Sequence, residues 1–188
     1  MSRFTRLTPA TAVGASRDLL SDLVSRHGRV GDMVSMMAHS PAVLGGYLQL
    51  SRWMKRAKLN RKISERISIA VQVRQGCGLC LESHVNVARA HGVEEDEIER
   101  ARAGTSADPA IAAIIILALQ IYREPTEITD EQIVALHGHG YTDREIADVV
   151  GIVALNILTG AFNLVAGLRP AAHPVPRGHQ TTSSLEQA

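Results

Sequence analysis

Cysteine is almost missing from this chain of 188 residues: there are two, Cys77 and Cys80. So few exclude a multi-disulfide scaffold, and no second CxxC exists to complete a paired-cysteine zinc site. Aromatic rings are scarce, six in total, and the apolar residues are mostly Ala, Leu, Ile and Val, which suits closely packed helices. No block of lysine and arginine occurs and the formal net charge is +1, so nucleic acid is not expected as a partner. Met1-Ser2-Arg3-Phe4-Thr5-Arg6 leads into no apolar run, so a signal peptide is not expected and a cytoplasmic location is. There thiols stay reduced, and a CxxC pair is more often catalytic or metal-binding than structural.

Two stretches have enough apolar character to need a membrane test. Residues 110–121 are too short to span, whereas residues 146–168 are long enough. The second carries Asp148, Asn156 and Asn163 and is led by a helix cap, not a basic anchor. We read it as a buried helix, apolar nearly all round, of the kind that sits in a subunit interface.

The remaining pattern predicts an all-α fold, with one domain over residues 1–169 that includes an irregular arm at 1–15, and a disordered tail at 170–188 rich in Pro, Ser, Thr and Gln. Helices are predicted at 16–27, 31–38, 41–58, 64–75, 77–91, 93–103, 109–123 and, after the capping boxes Thr129-x-x-Gln132 and Thr142-x-x-Glu145, in two more segments. Ser40-Pro41 and Asp108-Pro109 read as N-cap followed by the first helical residue, and Gly28, Gly92 and Gly104 as helix stops. No convincing strand is seen.

The chemistry concentrates at Cys77, Cys80 and His84, which fall within an arc of about 60° if one helix carries all three. A free thiol with pKa about 8.5 needs a base to become the nucleophilic thiolate, and His84 lies one turn beyond Cys80. Glu65, on the preceding predicted helix, reaches His84 if the two helices pack antiparallel. Cys77 is nearer the helix N-terminus, where the dipole favours a thiolate, and Cys80 is nearer the imidazole. A proton acceptor at hydrogen-bond range acts more specifically, which selects Cys80 as nucleophile and Cys77 as resolving thiol. A thiolate of this kind reduces a peroxide and closes a disulfide with its neighbour, or exchanges with a partner's disulfide.

Glu65-x11-Cys77-x-x-Cys80-x3-His84 resembles the core motif of the alkylhydroperoxidase D (AhpD) family, within the carboxymuconolactone decarboxylase-like superfamily. The flanks MMAHSPAVLGGY, LNRKISERISIAV, GVEEDEIERARAG and LNILTGAFNLVAGL are similar too, so the resemblance covers roughly residues 20–168. It implies an AhpD-like helical bundle, a homo-oligomer built from dimers, and no cofactor. It implies a thiol-dependent peroxidase or a disulfide reductase serving a peroxiredoxin, fed by a thiol or dithiol donor. It further implies that Cys80 forms the sulfenate, Cys77 gives the proton and the disulfide partner, and Glu65 with His84 forms the relay. Ser64 departs from the pattern, since members often carry arginine before the glutamate.

Rival readings are a lactone decarboxylase of the same superfamily, which would not need a CxxC pair, and a non-enzymatic oligomerisation module switched by its disulfide. A zinc site would need Glu65 or a distant histidine as fourth ligand. His91 reads as a helix C-terminal charge partner, and His39, His137 and His139 as structural or without a role. His173 and His179 fall in the tail. Asn156 and Asn163, seven apart, read as buried interhelical hydrogen-bonding groups, with a polar wall near the thiols as the sharper alternative. Met33, Met36 and Met37 read as core filler, and Tyr47 and Trp53 as core or pocket wall.

Overall fold

The structure is a computed structural model and describes residues 2–170. Among them it is all-helical, without a strand: α1 Gly14–His27, α2 Asp32–Met37, α3 Pro41–Met54, α4 Arg61–Gln75, α5 Gly78–Ala90, α6 Glu95–Ala103, α7 Pro109–Arg123, α8 Asp130–Gly138 and α9 Asp143–Ala166. The predicted tail lies outside the described residues, apart from Pro170.

The caps behave as their chemistry requires. Ser40 Oγ accepts from the Val43 amide and Asp108 from those of Ala110 and Ile111, each with proline following. Both capping boxes close, at Thr129/Gln132 and Thr142/Glu145. Two boundaries differ from expectation by three residues or more, the others by two at most. Asn60 Oδ1 caps the Lys62 amide, so α4 begins at Arg61, three residues before the predicted start. α3 ends at Met54, not Lys58, because the chain turns at 53–57 and Asp148 of α9 takes the Lys58 and Leu59 amides from outside.

α4 sits at the centre and packs against α5, α6, α7 and α9. Its inner residues are buried almost without interruption from Ser64 to Gln72. One apolar cluster joins α4, α7 and α9 through Ile67, Val71, Ile114, Ile115, Leu117, Val149 and Val153. A second joins α4, α5 and α6 through Ile69, Val85, Ala88 and Ile98. A third lies under α1–α3, where Leu20, Met37 and Leu44 meet. The N-terminal arm is irregular, as expected, and it is strapped down. Arg3 N donates to Ala166 O at 2.8 Å, the Arg3 guanidinium to Leu164 O and Val165 O, and Phe4 packs edge-on to Phe162.

α9 is the one helix, among the described residues, long and apolar enough to cross a membrane by length and composition. Here it packs against α2, α3, α4, α5 and α7, and carries buried Asn156 and Asn163 on that side.

Trp53 departs from the expectation of a core or pocket-wall residue: it is 61% exposed, under the Arg56 guanidinium at 5.0 Å. The inward face of α3 is set by Leu44, Tyr47, Ser51 and Met54, and Trp53 falls about 100° away from Met54. Met36 and Met37 are buried as filler, whereas Met33 lines a cavity.

Candidate active site

Gly76 ends α4 with φ 78°, a left-handed turn that glycine adopts without strain, and aims the chain back along α4 as α5. Cys77 is not on the helix as expected from the arc argument. It is the N-cap of α5, with φ −85° and ψ 90°, and its Sγ accepts from the Cys80 amide at 3.3 Å. The sulfur takes the place a serine or aspartate oxygen usually fills at a helix start. The two cysteines, 5.4 Å apart at Cα, are joined as a disulfide, so the molecule is in its oxidised form.

α4 and α5 do bring Glu65 to His84. His84 Nδ1 lies 2.8 Å from Glu65 Oε2, with the carboxylate buried and the imidazole about a quarter exposed. A carboxylate can only accept, so Nδ1 carries the hydrogen, and in a neutral imidazole Nε2 is then the acceptor. The other carboxylate oxygen, Oε1, is paired with Arg61 at 2.7 Å. Arg61 stands one turn before Glu65 on α4, a position from which an i,i+4 pair forms naturally. That residue escaped the sequence reading, although its spacing to Glu65 was a usable signal.

A cavity of about 400 Å³ opens over these groups. Its wall includes Cys80, His84, Glu65 and Arg61, with Tyr47 and Met54 of α3, Lys55 just after it, and Ile152, Leu155 and Asn163 of α9. Cys80 is part of this wall and Cys77 is not; the two are 6% and 1% exposed. Tyr47 stays a neutral phenol, its pKa raised by burial against the opposing effect of its Ser51 hydrogen bond.

The two asparagines divide the readings made for them. Asn156 is an interhelical clamp: its Nδ2 donates to Ser68 Oγ and Ile152 O, and its Oδ1 accepts from Gln72 Nε2 at 2.8 Å. Asn163 stands at the sulfur, with Nδ2 donating to Cys80 Sγ at 3.2 Å. His39 bonds Thr5 and His137 pairs with Asp143, both away from this cavity. Among the described residues no three His, Cys, Asp or Glu cluster in a way that could hold a metal ion.

Residues 41–124, from the start of α3 to the end of α7, match the carboxymuconolactone decarboxylase family, and the match contains all of Glu65, Cys77, Cys80 and His84. The alkyl hydroperoxide reductase AhpD of Rhizorhabdus wittichii is 51% identical over 37 residues, 20% of this chain and 21% of that protein. A peroxidase-related protein with an alkylhydroperoxidase AhpD core from Ralstonia eutropha has the same fold, with a TM-score of 0.76, 20% identity, and 91% and 93% of the two chains covered. Residues 41–124 thus resemble the carboxymuconolactone decarboxylase family, and the described chain has an AhpD-like fold. Its matched segment spans only about a fifth of that curated AhpD relative. AhpD-like folds are not tied to one reaction. The debrominase Bmp8, solved with 2,3,4-tribromopyrrole, shares this fold with a TM-score of 0.68 at 15% identity, over 92% of this chain and 95% of its own. The proteins this chain resembles are thus named for decarboxylation, hydroperoxide reduction and debromination.

Proposed function

We propose that this AhpD-like protein is a thiol-dependent peroxidase, with Cys80 as the attacking sulfur, Cys77 as the resolving sulfur, and Glu65–His84 as the proton relay. The observation that carries the reading is Cys80 on the wall of an open cavity, bonded to Cys77 behind it, one turn from an imidazole anchored on a buried carboxylate. His84 Nε2 takes the Cys80 proton, directly or through water, and Glu65 stabilises the imidazolium that results. The Cys80 thiolate attacks the terminal oxygen of a hydroperoxide: an S–O bond forms, the O–O bond breaks, and the departing alkoxide takes a proton from the imidazolium. Cys77 then attacks the sulfenic sulfur, forming the disulfide and releasing water. A dithiol donor returns the two electrons by thiol–disulfide exchange, and a peroxiredoxin disulfide is the alternative oxidant.

The cavity favours an organic hydroperoxide over hydrogen peroxide. About 400 Å³ lies in the range of small-molecule sites, and much of the wall is apolar. The lactone decarboxylase reading does not use the dithiol at all, so the paired cysteines weigh against it. The cell interior, where donors keep thiols reduced, suits such a cycle.

Self-association belongs to the same proposal. Val150, Ile157 and Leu164 are exposed at seven-residue spacing along α9, with Ala147, Ala154 and Ala161 exposed three residues before each. A second copy laid antiparallel would set the acidic first turn, Asp143 and Glu145, against the partner's Arg3 and Arg169 end. Sedimentation of Ile157→Glu as a smaller species than wild type is the expected result; an unchanged species removes this seam.

The deciding test of the peroxidase reading is a mass-spectrometric thiol count of the reduced protein after addition of cumene hydroperoxide. Loss of two thiols with no added oxygen is expected for wild type, and a stable oxidised Cys80 in Cys77→Ser. Peroxide consumption by Cys80→Ser at the wild-type rate would end the proposal.

A further inference from the structure

We propose that Asn163 is a catalytic residue, whose side-chain amide holds Cys80 as a thiolate once the disulfide is opened. The inference rests on the reading of Cys80 as the attacking sulfur. It comes from the chemistry of one contact, Asn163 Nδ2 to Cys80 Sγ at 3.2 Å.

A disulfide sulfur has no hydrogen and can only accept, so the N–H edge of the amide must face it. In the oxidised form that bond is weak, because neutral sulfur is a poor acceptor. Reduction changes the acceptor and not the donor. A thiolate carries a full charge, and a hydrogen bond to it is roughly twice as strong as a neutral one. The gain is largest for the charged form, which lowers the thiol pKa.

The rest of the Asn163 side chain points to the same use. The residue is 4% exposed, and its Oδ1 is buried without a hydrogen-bond partner. Its one side-chain hydrogen bond among the described residues goes to the sulfur. Asn156, two turns earlier on α9, is the contrast: both ends of its amide are taken up by α4 and by its own helix. An amide kept buried at the expense of an orphan carbonyl is explained if its donor is needed at Sγ.

The charged groups around the sulfur come from other helices. α4 supplies Arg61 and Glu65, α5 supplies His84, and Lys55 follows the end of α3. α9 offers no charge after Asp148 until Arg169 lies beyond its end. The amide does not titrate, so its effect on the Cys80 pKa is separate from that of the His84 relay.

The test measures the alkylation rate of Cys80 by iodoacetamide against pH, in a Cys77→Ala background so that one thiol reports. Asn163→Leu, of similar volume, should raise the thiol pKa by about one unit and leave the limiting rate at high pH unchanged. Asn163→Asp, the same shape with a negative charge, should raise it further. With both cysteines present, Asn163→Leu should shift the equilibrium with glutathione about tenfold toward the disulfide, or about 30 mV more negative. If Asn163→Leu does not fold, Asn163→Ser, which is smaller and lacks the amide, is titrated in its place. A Cys80 pKa within error of wild type in the variants overturns the inference. The failures are distinguishable: a wild-type protein that ignores hydroperoxide removes the peroxidase reading, whereas unshifted titrations remove only the role of Asn163.

Discussion

Around α7 the interior is apolar throughout: Ile114, Ile115, Leu117 and Ala118 meet Val149 and Val153 of α9, and nothing there asks for a polar partner. Around the start of α5 the same α9 and the same α4 enclose Glu65, Ser68, Gln72, Asn156, Asn163 and two sulfurs. The first region satisfies every local rule of helix packing. The second violates several, with a buried carboxylate, a cysteine as N-cap, and the carbonyls of Gln72 and Asn163 left without partners. Where local rules fail inside an otherwise consistent fold, chemistry is the usual reason.

That difference can be broken from either side. The largest effect expected is on turnover. Glu65→Gln keeps the shape of the polar region and removes the charge that, in the proposed relay, orients His84 and balances its imidazolium, so hydroperoxide turnover should fall by about 10²–10⁴-fold with little change in melting temperature. Turnover within a few-fold of wild type would show that the relay is not used.

On the apolar side, Ile115→Ala leaves a cavity in the α4–α7–α9 cluster and should destabilise the fold by about 2–5 kcal/mol, read by urea denaturation, while the Cys80 thiol titrates as before. A changed thiol pKa in this variant would mean that the two regions are coupled.

Gly160 lies on the polar side, one turn beyond Asn156 on α9. A Cβ there would fall 2.7 Å from Gln72 Oε1 and closer still to Gln75 Oε1, and Gln72 is held by Asn156. Gly160→Ala should therefore cost about 1–3 kcal/mol, although alanine is the better helix former. A gain in stability would show that the glutamines move aside freely.

The smallest effect concerns a second polar cluster, around Glu97. Burial acts to raise the Glu97 pKa, but hydrogen bonds from Ser106, the Ala107 amide and Arg66 together hold it below the usual carboxylate range. A carboxylate whose pKa is lower folded than unfolded adds stability above its unfolded pKa and loses it as the pH falls through the folded value. Acidification should thus lower the melting temperature of wild type more steeply than that of Glu97→Gln. Parallel profiles would assign the acid sensitivity elsewhere.

Much of the fold was legible because helices announce themselves locally. Ser40-Pro41, Asp108-Pro109 and the two capping boxes each act over a few residues, and all occur where their chemistry demands. The misread boundaries had distant or overlooked partners. α3 stops early beside Asp148, some 90 residues away, and Asn60 was passed over as a cap. Trp53 was misplaced because a large ring alone does not say which side of a helix meets the bundle. The motif residues were visible through their spacing, and Arg61 could have been, as the residue one turn before Glu65.

From the sequence alone followed the helices, the proximity of the two sulfurs and the place of His84 one turn beyond them, since each depends on neighbours within a single turn. The tertiary structure alone decided that Cys80 and not Cys77 faces the cavity, that Glu65 reaches His84, and that Asn163, 83 residues along the chain, touches the Cys80 sulfur. Those contacts join separate helices. They exist only because α4, α5 and α9 pack at one particular rotation and depth, which no local pattern encodes.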